Sequence, residues 1–337
     1  GCQLQHARLD FTADWKRDVV IRALAAQGIE ADVGQTETSP ERSRRRAAFS
    51  ARRTKKGALA GFHQKASDVI VPVPECLVVR PVLADSLPLV EALAVAGASR
   101  KGALSVLVTD TEGGLDVAVR GGTVPGPMDF AALAQEHDLA RLSWADETLT
   151  RRPPTQDFGR AHVAPPPGAF LQATAEGEAA LLDAVRDAVE GAARIADLFA
   201  GCGTFTLPMA EQAEVHAVEA DKAMLDALDR GWRHAPGLRR VTTQARDLFR
   251  NPLLPDELAR FDAVVIDPPR AGAEAQVAQI AAARVQRVAH VSCNPVTFAR
   301  DTAALIAAGY RLGPVRVIDQ FRWSTHVELA ATLTLET

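Results

Sequence analysis

No apolar run in the 337-residue chain approaches the roughly twenty residues needed to cross a bilayer. Nothing at the start has the charged-then-apolar pattern of a signal peptide. A membrane partner is therefore not expected, and the chain reads as cytoplasmic. Cysteine is sparse: Cys2, Cys76, Cys202 and Cys293 are too few for a disulfide framework and read as thiols or metal ligands. An excess of positive charge is also lacking. With a formal net charge of −4, any contact with nucleic acid must be local rather than a property of the whole surface. What is present is 47% hydrophobic content, enough to bury a large core in about two domains.

The stretch Ile195-Ala-Asp-Leu-Phe-Ala-Gly-Cys-Gly-Thr204 organises the rest. A short apolar run ends in glycines and is followed at once by a helix-like segment over 205–212, the pattern of a parallel strand turning into a helix whose N-terminus meets a ligand. Gly201 and Gly203 supply the bend and let backbone approach a small molecule. A dinucleotide and S-adenosylmethionine compete for such a turn, and a turn with no ligand stays open. The dinucleotide fingerprint wants a third glycine where this chain has Thr206, which weakens the pyrophosphate reading. Asp197 before the turn and Glu219 after the next strand-like run, 215–218, suit a cofactor with a cationic methionine end and a ribose diol.

Upstream, the spacing predicts a helix over 14–27 stopped by Gly28. From Glu41 to Lys65 come Arg42, Arg44, Arg45, Arg46, Arg52, Arg53, Lys55, Lys56 and Lys65 with Phe49 and Phe62 among them, against the one acid Glu41. Such a tract can follow phosphates while its aromatics stack on bases, or it can be a solvated strand face. Alternating stretches over 103–109 and 114–120 read as a β-hairpin. The proline-rich punctuation over 151–168 marks a domain boundary, placed between 1–160 and 161–337. Beyond it strands and helices alternate to the end. That rhythm predicts an α/β fold: a doubly wound, Rossmann-like sheet at the carboxyl end, with ligands outside the carboxyl ends of its strands, and a smaller α+β N-terminal domain. Asp197, Glu219, Asp267 and Cys293 should converge there.

Asp267-Pro-Pro-Arg270 caps an apolar strand, and its stiff prolines with flat faces suit a planar base beside a carboxylate, although a strand simply ending at prolines has the same pattern. Cys293 precedes Asn294 and Pro295, a good N-cap and a favoured first helical residue. The helix N-terminus is expected to favour the thiolate. A thiolate beside a methyl donor has a use: the C5 of a pyrimidine accepts a methyl group only after a nucleophile adds at C6. A base must then remove the C5 proton, and Glu328 is the candidate.

Asp197-Leu-Phe-Ala-Gly-Cys-Gly-Thr-Phe-Thr-Leu-Pro208, Asp267-Pro-Pro-Arg-Ala-Gly272, Ser292-Cys-Asn-Pro295 and Asp319-Gln-Phe-Arg-Trp-Ser-Thr-His-Val-Glu328 together resemble the S-adenosylmethionine-dependent RNA uracil-C5 methyltransferases, which make 5-methyluridine in tRNA and 23S rRNA. The resemblance covers nearly the whole chain. It implies Cys293 as nucleophile and Glu328 as general base, with Gln172, Phe199, Thr204, Glu219, Asp247 and Asp267 lining the cofactor pocket. Thr204 and Asp247 stand where many members have Asn, and Arg322-Trp-Ser replaces a run usually led by proline. The N-terminal domain would be RNA-binding. The amino end resembles the iron–sulfur members: Cys2 and Cys76 would be two ligands of a 4Fe-4S cluster whose other cysteines would precede Gly1. This tilts the expected RNA towards 23S rRNA, with tRNA as the alternative.

Three rivals stay open on residues alone. An RNA cytosine-C5 methyltransferase places a Pro-Cys where this chain has Pro268-Pro-Arg270. Amino-group methyltransferases use an Asp-Pro-Pro-aromatic turn and need no cysteine. A non-catalytic RNA-binding module would need neither Cys293 nor Glu328.

Overall fold

A computed structural model of the protein describes residues 2–336 and divides into two compact units. One comprises Gly1–Ser39, Asp157–Val163 and Glu176–Thr337, the other Pro40–Gln156 and Ala164–Ala175. The chain opens with α1 (Leu9–Ala25) and β1 (Val33–Thr38). Next come β2 (Arg46–Arg53), β3 (Ala58–His63), β4 (Ile70–Val71), α2 (Pro81–Ala84), α3 (Leu87–Gly97), β5 (Ala103–Thr111), β6 (Gly114–Arg120), α4 (Pro127–Glu136), β7 (Arg141–Trp144) and β8 (Glu147–Thr150). These strands form a seven-stranded sheet in the order β4-β3-β2-β5-β6-β7-β8. Period-two patterning builds it: Ala47, Phe49 and Ala51 of β2 and Leu104, Val106 and Val108 of β5 are buried on one face, where Leu89, Val90 and Leu93 of α3 join their core.

β9 (Gln156–Phe158) pairs with β10 (Ala161–Val163). The rest alternates as expected: α5 (Ala175–Ala188), β11 (Arg194–Leu198), α6 (Thr206–Met209), β12 (Glu214–Glu219), α7 (Lys222–His234), β13 (Val241–Ala245), α8 (Pro255–Leu258), β14 (Ala263–Ile266), α9 (Glu274–Ala283), β15 (Arg287–Ser292), α10 (Pro295–Ala307), β16 (Tyr310–Asp319) and β17 (Glu328–Leu335). The eight-stranded sheet runs β1-β16-β17-β15-β14-β11-β12-β13, parallel except where β17 pairs antiparallel with β15 and β16. Ala263, Val264, Val265 and Ile266 are fully buried, as a strand covered on both faces requires. The strand order reverses between β11 and β14, which opens a crevice at their carboxyl ends.

The expected division at residue 160 does not describe the amino end. Residues up to Ser39 group with the later sheet, because β1 pairs in parallel with β16, Glu37 opposite Ile318. Val20 and Leu24 of α1 share a core with Phe298, Val317 and Leu329, and Arg316 pairs with Glu37 at 2.9 Å. No helix among the described residues is long and apolar enough to cross a membrane.

Candidate active site

The turn after β11 places Phe199, Gly201 and Gly203 at φ +63°, +56° and +95°. A side chain at Gly203 would meet the Leu228 Cγ at 2.9 Å, so that glycine is a packing requirement. At Gly201 nothing lies within 4 Å of an added Cβ, and the backbone there faces open space. The Gly201 N–H donates to Glu219 Oε2 at 3.1 Å, and Oε1 accepts from the N–H groups of Ala220 and Asp221 at 2.7 and 3.0 Å. Glu219 is thereby held at the turn with lone pairs to spare.

Asp197 is 1% exposed. Its Oδ2 accepts from the Thr206 hydroxyl at 2.5 Å, while Oδ1 is buried with no partner. Burial, and secondarily Asp267, pushes this carboxyl up to about 7. An orphaned carboxylate oxygen is expensive unless a donor reaches it, and the ammonium of a methionine moiety is such a donor. Thr204 is half-buried on the same turn, and Cys202 is a buried thiol pushed up to about 12, consistent with a packing role. Phe199 sits 5.4 Å from Phe249, centroid to centroid. Asp247 caps the turn that carries Phe249, accepting from its N–H at 3.0 Å. A carboxylate beside two rings suits an adenine, and Phe249 is a partner the sequence pattern did not single out. These residues fit S-adenosylmethionine. Gln172 belongs to the other unit, where its carbonyl accepts from Arg45 Nε at 3.0 Å.

Asp267 is anchored beside the same turn, its N–H donating to the Leu198 carbonyl at 3.3 Å. The antiparallel β15–β17 ladder ends with Ser292 opposite Leu329, so Cys293 and Glu328 are the residues next in line on the two chains, and Glu328 itself pairs with Ile318 of β16. Asn294 caps α10 through Val296 N–H at 3.1 Å, as expected, and its Nδ2 donates to the Arg270 carbonyl at 2.9 Å. Thr297 Oγ1 donates to that carbonyl as well, at 3.3 Å. The Asp-Pro-Pro-Arg loop and the nucleophile's helix are thus tied together, a link that sequence spacing does not reveal.

The expected thiolate is not what this arrangement favours. Burial first, then Glu328 and Asp267, push the Cys293 thiol up to about 11, with Arg270 opposing. Pro295 offers no N–H, and Asn294 occupies that of Val296, so the helix end has little left to give the sulfur. Burial and Asp267 push Glu328 up to about 8, and burial pushes Asp267 up to about 7. The cluster therefore holds protons that it can pass on.

Cys2 is exposed and Cys76 is half-buried against the apolar core of the other unit. Among the described residues no three His, Cys, Asp or Glu are grouped to hold a metal ion. A four-iron cluster needs four cysteine ligands. The described residues do not fit one, and the metal role expected for Cys2 and Cys76 is not supported. Gly1, which opens the stretch that suggested it, lies outside the described residues.

A doubly wound sheet with a glycine turn, an acid ending its second strand and an orphaned carboxylate at the crevice defines a methyltransferase that uses S-adenosylmethionine. A family model described as tRNA (uracil-5-)-methyltransferase matches residues 237–336. An uncharacterized RNA methyltransferase of Brucella suis is 45% identical over 99% of this chain and 81% of its own length. The 23S rRNA (uracil(1939)-C(5))-methyltransferase RlmD of Chromohalobacter salexigens is 33% identical over 100% of this chain and 74% of its own. The crystal structure of the Pyrococcus abyssi tRNA (uracil-54, C5)-methyltransferase with S-adenosyl-L-homocysteine superposes with a TM-score of 0.77 at 23% identity, covering 99% of this chain and 84% of that one. The chain belongs to the family of S-adenosylmethionine-dependent RNA uracil-C5 methyltransferases.

Proposed function

We propose that the protein methylates C5 of a uridine in 23S rRNA, in the cytoplasm, through a covalent adduct between Cys293 and C6. The observation that supports this reading is the end of the β15–β17 ladder, where Ser292 pairs with Leu329 and Cys293 and Glu328 follow next in line, with Asp267 close enough to shift both. Phe199, Thr204, Glu219, Asp247 and Asp267 would hold the cofactor, which supplies an electrophilic methyl group. Asp267, as a carboxylate, takes the thiol proton as sulfur adds to C6 and leaves Glu328 free for the later step, and the ring electrons move towards C4–O4. C5 then accepts the methyl group. Glu328 removes the C5 proton, the C5–C6 double bond re-forms, and the Cys293 sulfur departs.

Arg270 steadies the anionic ring and its neighbours by charge, since it opposes the upward shift at both Cys293 and Glu328. The 33% relative named for 23S rRNA favours that RNA over tRNA. The test uses RNA carrying 5-fluorouridine, which has no C5 proton to surrender. With S-adenosylmethionine present it should leave a denaturant-resistant protein–RNA adduct, formed on 23S rRNA and not on tRNA, and absent from Cys293→Ser. A Cys293→Ser variant that still methylates would overturn the covalent route, and an adduct confined to tRNA would overturn the choice of RNA.

A further inference from the structure

The loop that begins at Asp267 reaches Gly272 pressed against α10. Gly272 has φ +77°, and a Cβ there would meet Arg300 Nη2 at 2.5 Å, Asp301 Oδ2 at 2.7 Å and Thr297 Cβ at 2.9 Å. Its N–H donates to the Pro269 carbonyl at 2.9 Å, which closes a turn over 269–272. Only glycine fits that seat, since the backbone is left-handed and α10 stands too close for a side chain.

Side chains of α10 supply the partners for the rest of this backbone. Asn294, Thr297 and Asp301 follow one another at helical spacing and so share one face. Asn294 and Thr297 both hold the Arg270 carbonyl. Arg300 Nη2 donates to the Ala271 carbonyl at 3.2 Å, and Asp301 Oδ2 accepts from the Ala273 N–H at 2.8 Å. Asp301 is 1% exposed, and its Oδ1 accepts from Arg300 Nε and Nη2 at 2.9 and 2.7 Å. A carboxylate is kept inside a protein only where donors surround it. Here it grips the loop directly and aims the guanidinium that grips the neighbouring carbonyl.

The same loop carries Arg270, whose side chain is exposed and whose guanidinium has no hydrogen bond or ion pair among the described residues. With nothing gripping the guanidinium, the seat of its backbone decides where its charge stands. That charge bears on the reaction, because it opposes the upward shifts of Cys293 and Glu328. We propose that Asp301, working with Arg300, is a positioning residue for the methyl transfer: it clamps the 267–273 loop to α10 and so keeps the Arg270 charge within reach of Cys293 and Glu328. Asp301 is shut away from solvent and acts only through the loop. The inference rests on the part Arg270 takes in the proposed reaction.

The test is a double-mutant cycle on the full chain that crosses Asp301→Ala with Arg270→Gln and reads methyl transfer to 23S rRNA, with melting curves to verify the fold. A misplacement of about 1 Å can cost about a hundredfold, so Asp301→Ala should lower kcat by about tenfold or more and leave KM for RNA as it was. In the Arg270→Gln background the same substitution should cost less than about twofold, because the charge it positions is gone. Iodoacetamide labelling of Cys293, followed on its own peptide at about pH 9, should slow in Asp301→Ala as the thiolate loses its neighbouring cation. Asp301→Asn keeps an acceptor for the Ala273 N–H and should recover much of the loss. Effects that simply multiply across the cycle, or labelling that speeds up because the site has only loosened, would overturn the positioning role and leave the active-site reading standing. If Asp301→Ala fails to fold, Thr297→Val, which removes one bond to the Arg270 carbonyl, runs the same cycle with the same two outcomes. Methyl transfer kept by Cys293→Ser would remove the covalent reading instead, whatever the cycle gives.

Discussion

Lys16 and Asp319 form an ion pair of 2.5 Å with both side chains shut away from solvent, 0% and 2% exposed. Lys16 also donates to the Phe321 carbonyl at 3.1 Å. The segment that leads from β16 to Glu328 is thereby nailed to α1, and it has two further ties: Leu4 N–H to the Trp323 carbonyl at 2.8 Å, and Arg322 Nη1 to the Ser39 carbonyl at 3.1 Å. Burial pulls the Lys16 ammonium below its usual range while Asp319 pushes back.

Removing one partner of such a pair strands the other charge. Lys16→Met should lower stability to unfolding by about 3–5 kcal/mol, and the double variant Lys16→Met with Asp319→Leu should regain most of it. Urea unfolding of the three proteins checks this. If the double variant is no better than the single one, the ion pair is not what the loss reports.

The raised carboxyls make stability depend on pH with a definite sign. Folded Glu328 keeps its proton up to about pH 8, whereas its ordinary value is 4.5. The stabilisation from that retained proton is complete below the ordinary value and disappears as pH climbs through about 8, at up to about 1.4 kcal/mol per pH unit for the group. Asp197 and Asp267 act in the same direction up to about pH 7. The ligand-free protein should therefore melt lower at about pH 8.5 than at about pH 5.5, and Glu328→Gln should shrink the difference. Turnover runs the other way, because Glu328 must be a carboxylate to take the C5 proton, so kcat should rise towards pH 8. Glu328→Gln should cut product release by about a hundredfold or more while methylated adduct accumulates.

Gly201 and Gly203 are two residues apart and should fail differently. Alanine at Gly203 puts a methyl group 2.9 Å from Leu228 and 3.0 Å from Leu207 in a left-handed backbone. Crowding and strain together should cost about 3 kcal/mol of stability. Alanine at Gly201 meets no protein atom within 4 Å, so only the backbone strain remains, about 1–2 kcal/mol. Its methyl group points into the space a ligand would need. Calorimetry with S-adenosylhomocysteine should show binding weakened more than tenfold in Gly201→Ala, by loss of close backbone approach, while melting curves show Gly203→Ala as the less stable protein.

Much of the active site was legible because its parts are local. A strand, a turn and a capped helix fit within about a dozen residues, so Asp197, Glu219, Asp267 and Cys293 could be set at strand ends from pattern alone, and Asn294 with Pro295 announced the start of α10. What escaped depends on distance in sequence or on burial. The bond from Asn294 to Arg270 spans 24 residues, and Phe249 reaches Phe199 across two strands and two helices. The Cys293 thiol was misjudged because a helix end is visible in sequence and the neighbouring carboxyls are not. The same holds for Arg45, whose charge looked available until its burial was known.

Strand β1 has its backbone partners at Val315 to Asp319. A ribosome delivers that strand well ahead of its neighbour, so during synthesis its N–H and C=O groups stay wet, or borrow temporary partners, while the intervening sheet is made. Closure of the catalytic sheet is then a late event by necessity, and loop closure over that span slows it. The hairpin that carries Glu328 is set in place in that same step, so a nascent chain acquires its nucleophile before it acquires the base.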